Sequence, residues 1–248
     1  MELPLEYEGV IAAGGLRLAY RRWPGPAAAL PIVLLHGLTG SSADWRLIGP
    51  RLTHHGAVLA WDARGHAASD WAPDAAYDGD AHFADVVQAL DALGIERCIL
   101  AGFSMGGCAA ILCAGALPER VARLVVIDAY PDPVMTPGSR QIAEFIASYH
   151  FPDGRPSFDP AIAAVMAEQL SRDGPRRLDL WPFWEAASQP TLIVRGALSA
   201  VLTESMAAEM LRRRPSVRLV TIPNVAHAIP TLRPTDLLNA IDHFLAEP

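Results

Sequence analysis

The sequence predicts an α/β fold: a mainly parallel eight-stranded sheet with helices on both faces and a helical lid inserted after the sixth strand. Three observations carry this reading. Short apolar runs bounded by turn residues recur along the 248-residue chain. Helical patterns separate them, an alternation that requires right-handed crossovers and a parallel sheet. The alternation then breaks once, for about sixty residues.

Gly9 to Trp23 alternates apolar and polar residues around Gly14-Gly15, which predicts a β-hairpin. Pro31–Leu35, Ala57–Trp61, Cys98–Phe103 and Leu124–Ile127 read as buried strands, with helices expected over Ser42–His54, Ala81–Leu93 and from Met105 to about Leu117. Thr191–Val194 and Val217–Ile222 complete the strands, and helices are expected over Thr203–Arg214 and from about Pro234 to Leu245. Between Tyr130 and Gln189 there is no strand signal, only helical stretches at Gln141–His150 and Pro160–Ser171 and the run Leu180-Trp181-Pro182-Phe183-Trp184. One crossover needs a dozen or so residues, so this excess suggests a lid over the strand ends, where such sheets bind ligands. The domain division expected is a core of residues 1–130 and 188–248 and a lid of 131–187. The alternative is ordinary crossover helices whose aromatics fill the core.

Composition excludes several classes. Twenty Lys and Arg against 27 Asp and Glu leave a net charge of −7, unsuited to nucleic acid or to anionic membranes. Three cysteines are too few for a disulfide framework and lack metal-site spacing, and the acidic N-terminus is no secretory signal. A cytoplasmic location, no metal and no cofactor are expected; nothing in the sequence sets the oligomeric state. Cys98 to Leu117 runs twenty residues without a charge, long enough to span a bilayer, and contains Gly102-x-x-x-Gly106. Three glycines within six residues (Gly102, Gly106, Gly107) favour a strand, a sharp turn and a helix instead.

That turn carries the first candidate for chemistry. Gly102-Phe103-Ser104-Met105-Gly106 fits G-x-S-x-G between an expected strand and helix, where a strained bend lifts a serine hydroxyl off the sheet edge. The Met105 amide then points at the attacked atom, with a helix dipole behind it. His36-Gly37-Leu38-Thr39-Gly40 follows the first parallel strand, and its turn can aim the Leu38 N–H into the same pocket. His36 itself reads as a structural residue holding that loop. Asn224-Val225-Ala226-His227 follows the last strand, so His227 is the candidate base for Ser104. The other histidines fit worse: His54 and His55 end a helix, where cations are favoured, and His66, His82, His150 and His243 lie in other loops and helices.

In these pieces, together with Asp62-Ala63-Arg64-Gly65-His66 and Arg195-Gly196, the chain resembles the α/β-hydrolase superfamily, in particular its lid-bearing esterases, lactonases and C–C hydrolases. The likeness covers nearly the whole chain. It implies Ser104 as nucleophile, His227 as base and the Leu38 and Met105 amides as oxyanion hole. The third triad member departs from the pattern. The relatives' loop resembles R-G-x-x-S-D, whereas here Ala200 stands at the usual acid position. Glu204 is explained by its helix start. Asp128, after the strand Leu124–Ile127, is the remaining candidate, since some members take the acid from that strand end. Three readings stay open: Asp128 supplies the charge, the site is a Ser–His dyad, or Ala200 is an introduced substitution. Asp62 reads as scaffold, with Arg64 pairing it locally.

The function this implies is cofactor-independent hydrolysis of a small, fairly apolar ester, lactone or thioester, with Trp45, Trp181, Phe183 and Trp184 lining the acyl pocket. A C–C bond hydrolase, a cofactor-free oxygenase using His227 and Asp128, and a non-catalytic binding homologue with a degenerate triad are the alternatives. The expected partner is a small-molecule substrate.

Overall fold

A computed structural model describes residues 6–131, 135–149, 157–171 and 178–247. Strands β1 (Tyr7–Ala13) and β2 (Leu16–Trp23) form the expected hairpin. Its two-residue loop has φ of 61° at Gly14 and 77° at Gly15, the pair of positive φ values that matches the twist of a tight hairpin. Then come β3 (Ile32–Leu35), α1 (Gly49–Leu52), β4 (Val58–Trp61), α2 (Gly79–Ala92), β5 (Cys98–Phe103), α3 (Met105–Ala116) and β6 (Val121–Ile127). After α4 (Pro137–Ala147), α5 (Pro160–Ser171) and α6 (Trp181–Ala186), the chain returns as β7 (Thr191–Gly196), α7 (Glu204–Arg213), β8 (Arg218–Ile222), α8 (Ile229–Leu232) and α9 (Pro234–Ala246).

The eight strands form one sheet in the order β1-β2-β4-β3-β5-β6-β7-β8; β2 runs antiparallel to both its neighbours and the other pairs are parallel. Two apolar layers sandwich it. One holds the inner sides of α2, α3, α6 and α7; the other packs α1, α8 and α9 around Trp23, Trp45 and Leu52. The uncharged run Cys98–Leu117 is thus β5, a bend and α3, and among the described residues no helix is long and apolar enough to cross a membrane.

Two element expectations change. Ser42–His54 is not one helix but a 3-10 turn over Ser42–Trp45 followed by α1. Pro50 has no N–H to donate to a carbonyl four residues back, so a helix begun at Ser42 cannot carry its ladder past this point, and Pro50 is instead accommodated in the first turn of α1. The helix expected at Gln141–His150 starts earlier, because the Thr136 side chain caps it and Pro137 opens it; His150 lies outside the described residues. Among the described residues β6 and β7 have no strand between them, although Phe158 makes an isolated bridge to His66.

Candidate active site

The reactive geometry begins with close backbone packing. A Cβ on Gly102 would stand 2.1 Å from the Gly106 carbonyl oxygen, and one on Gly106 would stand 2.5 Å from that of Leu35. Only glycine lets β5 turn into α3 this sharply against β3. Ser104, at the bend, takes φ 52° and ψ −115°, a conformation costly for any L-residue, and its N–H donates to Ile127 O at 2.9 Å. Such strain clusters at functional sites because the surrounding fold over-determines it.

The bend brings Ser104 to a histidine supplied from 123 positions further along: Ser104 Oγ lies 2.9 Å from His227 Nε2. His227 follows β8, and its Nδ1 lies 2.6 Å from Asp128 Oδ2. Asp128 is fully buried at the end of β6 with φ 48°. Its carboxylate is further held by Ser199, whose hydroxyl donates to Oδ2 at 2.6 Å, and by the Gly196 N–H, which donates to Oδ1 at 3.2 Å. With a hydroxyl and an amide already donating, the buried carboxylate accepts from Nδ1–H and leaves the Nε2 lone pair facing Ser104.

Ser199 was not singled out in the sequence. It belongs to the β7 loop, whose form Arg195 sets by donating to Leu202 O at 3.2 Å. Its Oγ accepts from the Val201 and Leu202 amides at 3.1 and 3.2 Å, which aims the hydroxyl proton at Asp128. The only advance signal was the serine next to the alanine at the usual acid position. Ala200 is exposed, and its carbonyl accepts the Gly138 N–H at 3.0 Å, joining this loop to α4.

The loop carrying Leu38 is pinned by two neutral imidazoles. His36 Nδ1–H donates to Gly37 O at 2.7 Å and Nε2 accepts the Ala63 N–H at 2.8 Å. His66 Nδ1–H donates to Arg64 O at 2.8 Å and Nε2 accepts the Thr39 N–H at 3.1 Å. Each ring therefore needs one bare nitrogen. Burial enforces this by lowering the His36 pKa and pushing that of His66 down to about 3. Asp62 accepts from the Ser42 and Ala68 amides at 2.7 and 3.1 Å, a scaffold role. Arg64 does not pair with it: the guanidinium grips Asp85 on α2 through two bonds of 2.6 and 2.7 Å, because its side chain turns away from the loop into the α2 layer.

A cavity of about 470 Å³ opens above Ser104, within the range of small-molecule sites. Leu38, Met105 and Asp128 border it beside Ser104, and Cys108, Ala109 and Leu112 of α3 form one wall. Ile142 and Ala143 of α4 and Met166 and Gln169 of α5 form another. The start of α5 is stitched to the core next to His66: Ala67 N–H donates to Ser157 O at 2.8 Å, Asp159 N–H donates to Gly65 O at 2.7 Å, and the Tyr77 hydroxyl donates to Asp159.

None of the four aromatics expected in the acyl pocket lines this cavity. Trp45 is fully buried in the layer on the other side of the sheet, because its 3-10 turn folds under β3 and β4. Trp184 is buried with its indole N–H donating to Met210 O at 3.1 Å, and Trp181 stacks under the Arg213 guanidinium at 3.9 Å. The Phe183 backbone lies where a Cβ on Gly115 would be 2.3 Å from its oxygen, so α6 packs directly on α3. From this second rank Trp181 meets Tyr130, a cavity residue, edge to face with centroids 5.4 Å apart.

This sheet, with its bend after the fifth strand and its histidine after the last, defines a class. Residues 32–241 match the alpha/beta hydrolase family, and the chain belongs to it. Among its relatives, the sn-1-specific diacylglycerol lipase ABHD11 of Mus musculus is 33% identical, over 93% of this chain and 86% of its own. The N-formylmaleamate deformylase of Pseudomonas putida is 28% identical over 90% of each chain. Among solved structures, an alpha/beta hydrolase from Novosphingobium aromaticivorans superposes with a TM-score of 0.79 at 27% identity, covering 99% of both chains. The enol-lactonase of Burkholderia xenovorans shares the fold at a TM-score of 0.75 and 23% identity, covering 96% of this chain and 100% of its own.

Proposed function

We propose that the protein is a cofactor-independent serine hydrolase acting on a small, fairly apolar ester, lactone or thioester through Ser104, His227 and Asp128. One observation carries the reading: the unbroken relay from the Ser104 hydroxyl at 2.9 Å to His227 and at 2.6 Å on to a buried carboxylate. In this mechanism His227 takes the hydroxyl proton as Ser104 attacks the carbonyl carbon. The C–O or C–S bond to the leaving group then breaks as His227 returns the proton to it. Water, deprotonated by the same imidazole, releases the acid from Ser104. The amides of Leu38 and Met105 hold the negative charge on the carbonyl oxygen, each worth about 3 kcal/mol of transition-state stabilisation. Asp128 stays ionised, holds the tautomer and balances the imidazolium. With Asp128 in this role, Ala200 records a relocated acid rather than an impaired site.

Residues 131–187 act as the lid in this reading, α4 and α5 walling the cavity and α6 packed on α3. The cavity wall from α3, α4 and α5 is mostly apolar, which suits an uncharged acyl chain.

The test is hydrolysis of short p-nitrophenyl esters with labelling by a fluorophosphonate probe. The wild-type chain is expected to turn over the ester and take the label at Ser104, and Ser104→Ala to lose both. Equal rates in the two proteins, or an unlabelled Ser104, would overturn the proposal in favour of an oxygenase or a binding protein.

A further inference from the structure

A side-chain cluster that the hydrolase reading does not use lies at the other edge of the sheet. His54 and His55 follow α1 in its connection to β4, and Asp242 stands on α9. The cluster therefore sits by the N-terminal ends of the parallel strands, whereas Ser104, Asp128 and His227 follow C-terminal ends. Consecutive side chains of a helix diverge, but here the chain is leaving α1 through Thr53, and both imidazoles converge. His54 Nε2 and His55 Nε2 each lie 2.9 Å from the same oxygen, Asp242 Oδ1. The ring centroids are 4.0 Å apart, and one ligand atom from each of the three residues lies within 4.8 Å of the others.

We propose that His54, His55 and Asp242 bind a divalent transition metal of the zinc class and thereby clip the α1–β4 connection to the C-terminal helix. Two imidazole nitrogens and one carboxylate oxygen suit Zn²⁺, Ni²⁺ or Cu²⁺ and offer little to Mg²⁺ or Ca²⁺, which take all-oxygen shells. The size fits as well. Bonds of about 2.0–2.1 Å in a tetrahedral shell put ligand atoms about 3.3 Å apart, so each imidazole–carboxylate contact of 2.9 Å needs to widen by about 0.4 Å. The His54 and Asp242 side chains, 60% and 45% exposed, are free to make that adjustment, and water fills the remaining position. Without metal, each Nε2–H donates to Oδ1. With metal, the two Nε2 lone pairs and the carboxylate bind it, and each neutral imidazole carries its proton on Nδ1 by exchange with solvent. Protons and charge balance with no other reactant.

The test is calorimetric titration of the full chain with ZnCl₂, paired with thermal unfolding. One zinc per chain is expected, with Tm raised by about 5–10 °C at a hundredfold excess over Kd and the rise reversed by a chelator. His55→Ala and Asp242→Asn should each weaken binding at least tenfold and remove the Tm rise. His243→Ala, an exposed neighbour on α9 outside the cluster, should keep both. Absence of binding by the wild type, or a Tm rise that persists in both cluster variants, would overturn the site. Neither readout uses ester hydrolysis, so the result stands apart from the catalytic proposal.

Discussion

Asp128 shows how much one carboxylate decides. Removing a triad acid typically lowers kcat by about 10⁴, so Asp128→Asn should reduce ester turnover by that order while a fluorophosphonate still labels Ser104, slowly. Ala200→Asp provides the complementary measurement. Position 200 is exposed and the buried Asp128 already accepts His227 Nδ1–H at 2.6 Å, so this variant should leave kcat within about threefold of wild type. A gain of tenfold or more would mean that the acid is missing in the native chain. Ser199 adds a finer test, because its hydroxyl donates to the same carboxylate oxygen as the imidazole at the same 2.6 Å. A charge-assisted hydrogen bond contributes about 1.5–3 kcal/mol. Ser199→Ala is therefore expected to lower kcat/KM by about tenfold, since the carboxylate that orients the imidazole loses a donor. Threonine at 199 should restore the rate. Ser104 stands directly after β5 and His227 in the short loop after β8, so the places of both follow from strand order, which the sequence makes legible. Asp128 shared that advantage. Ser199 did not, since its role depends on how a loop of eight residues curls back, which no local pattern encodes.

At the scale of elements, legibility followed the same division. Apolar runs and helix periodicity report which segments are buried, and the strands emerged within a few residues of their expected bounds. Direction is another matter. Trp45, Trp181, Phe183 and Trp184 look like a pocket lining in the sequence, yet they brace α6 and the 3-10 turn against the two core layers, and α4 and α5 supply the cavity wall instead. The junction of β3, β5 and α3 is the element on which the site depends, and it tolerates no added atom. Gly106→Ala would place Cβ 2.5 Å from Leu35 O and 2.7 Å from His36 O, so α3 must retreat and carry the Met105 amide with it. Overpacking of this kind costs about 1–3 kcal/mol, visible as a lowered urea midpoint. The accompanying fall in kcat, with KM little changed, would mark the displaced oxyanion donor; an unchanged kcat would separate Met105 from that role.

Among the described residues, three histidines that the fold keeps neutral make the molecule as a whole answer to acid. His36, His66 and His82 are all buried, and desolvation lowers each pKa, to about 3 for His66 and about 4 for His82. In the unfolded chain each returns to about 6.5. Between those values the unfolded state binds protons that the native state refuses, so stability rises with pH through this window. It is fully present above about pH 6.5 and is lost as pH falls toward 4, by up to about 1.4 kcal/mol per pH unit for each histidine. The loss has a particular route in this fold. Protonating His66 turns the acceptor of the Thr39 N–H into a second donor, and protonating His36 does the same to the acceptor of the Ala63 N–H. Protonation of either ring therefore takes a contact away from the loop that carries Leu38. Urea midpoints measured from pH 7.5 to 4.5 should fall steeply below 6.5. His82→Gln should lessen the slope, since one of the groups that refuse a proton in the native state is removed. A flat profile between pH 6.5 and 5 would mean that the folded chain does not hold these imidazoles neutral, and the acceptor roles assigned to the Nε2 atoms of His36 and His66 would be overturned.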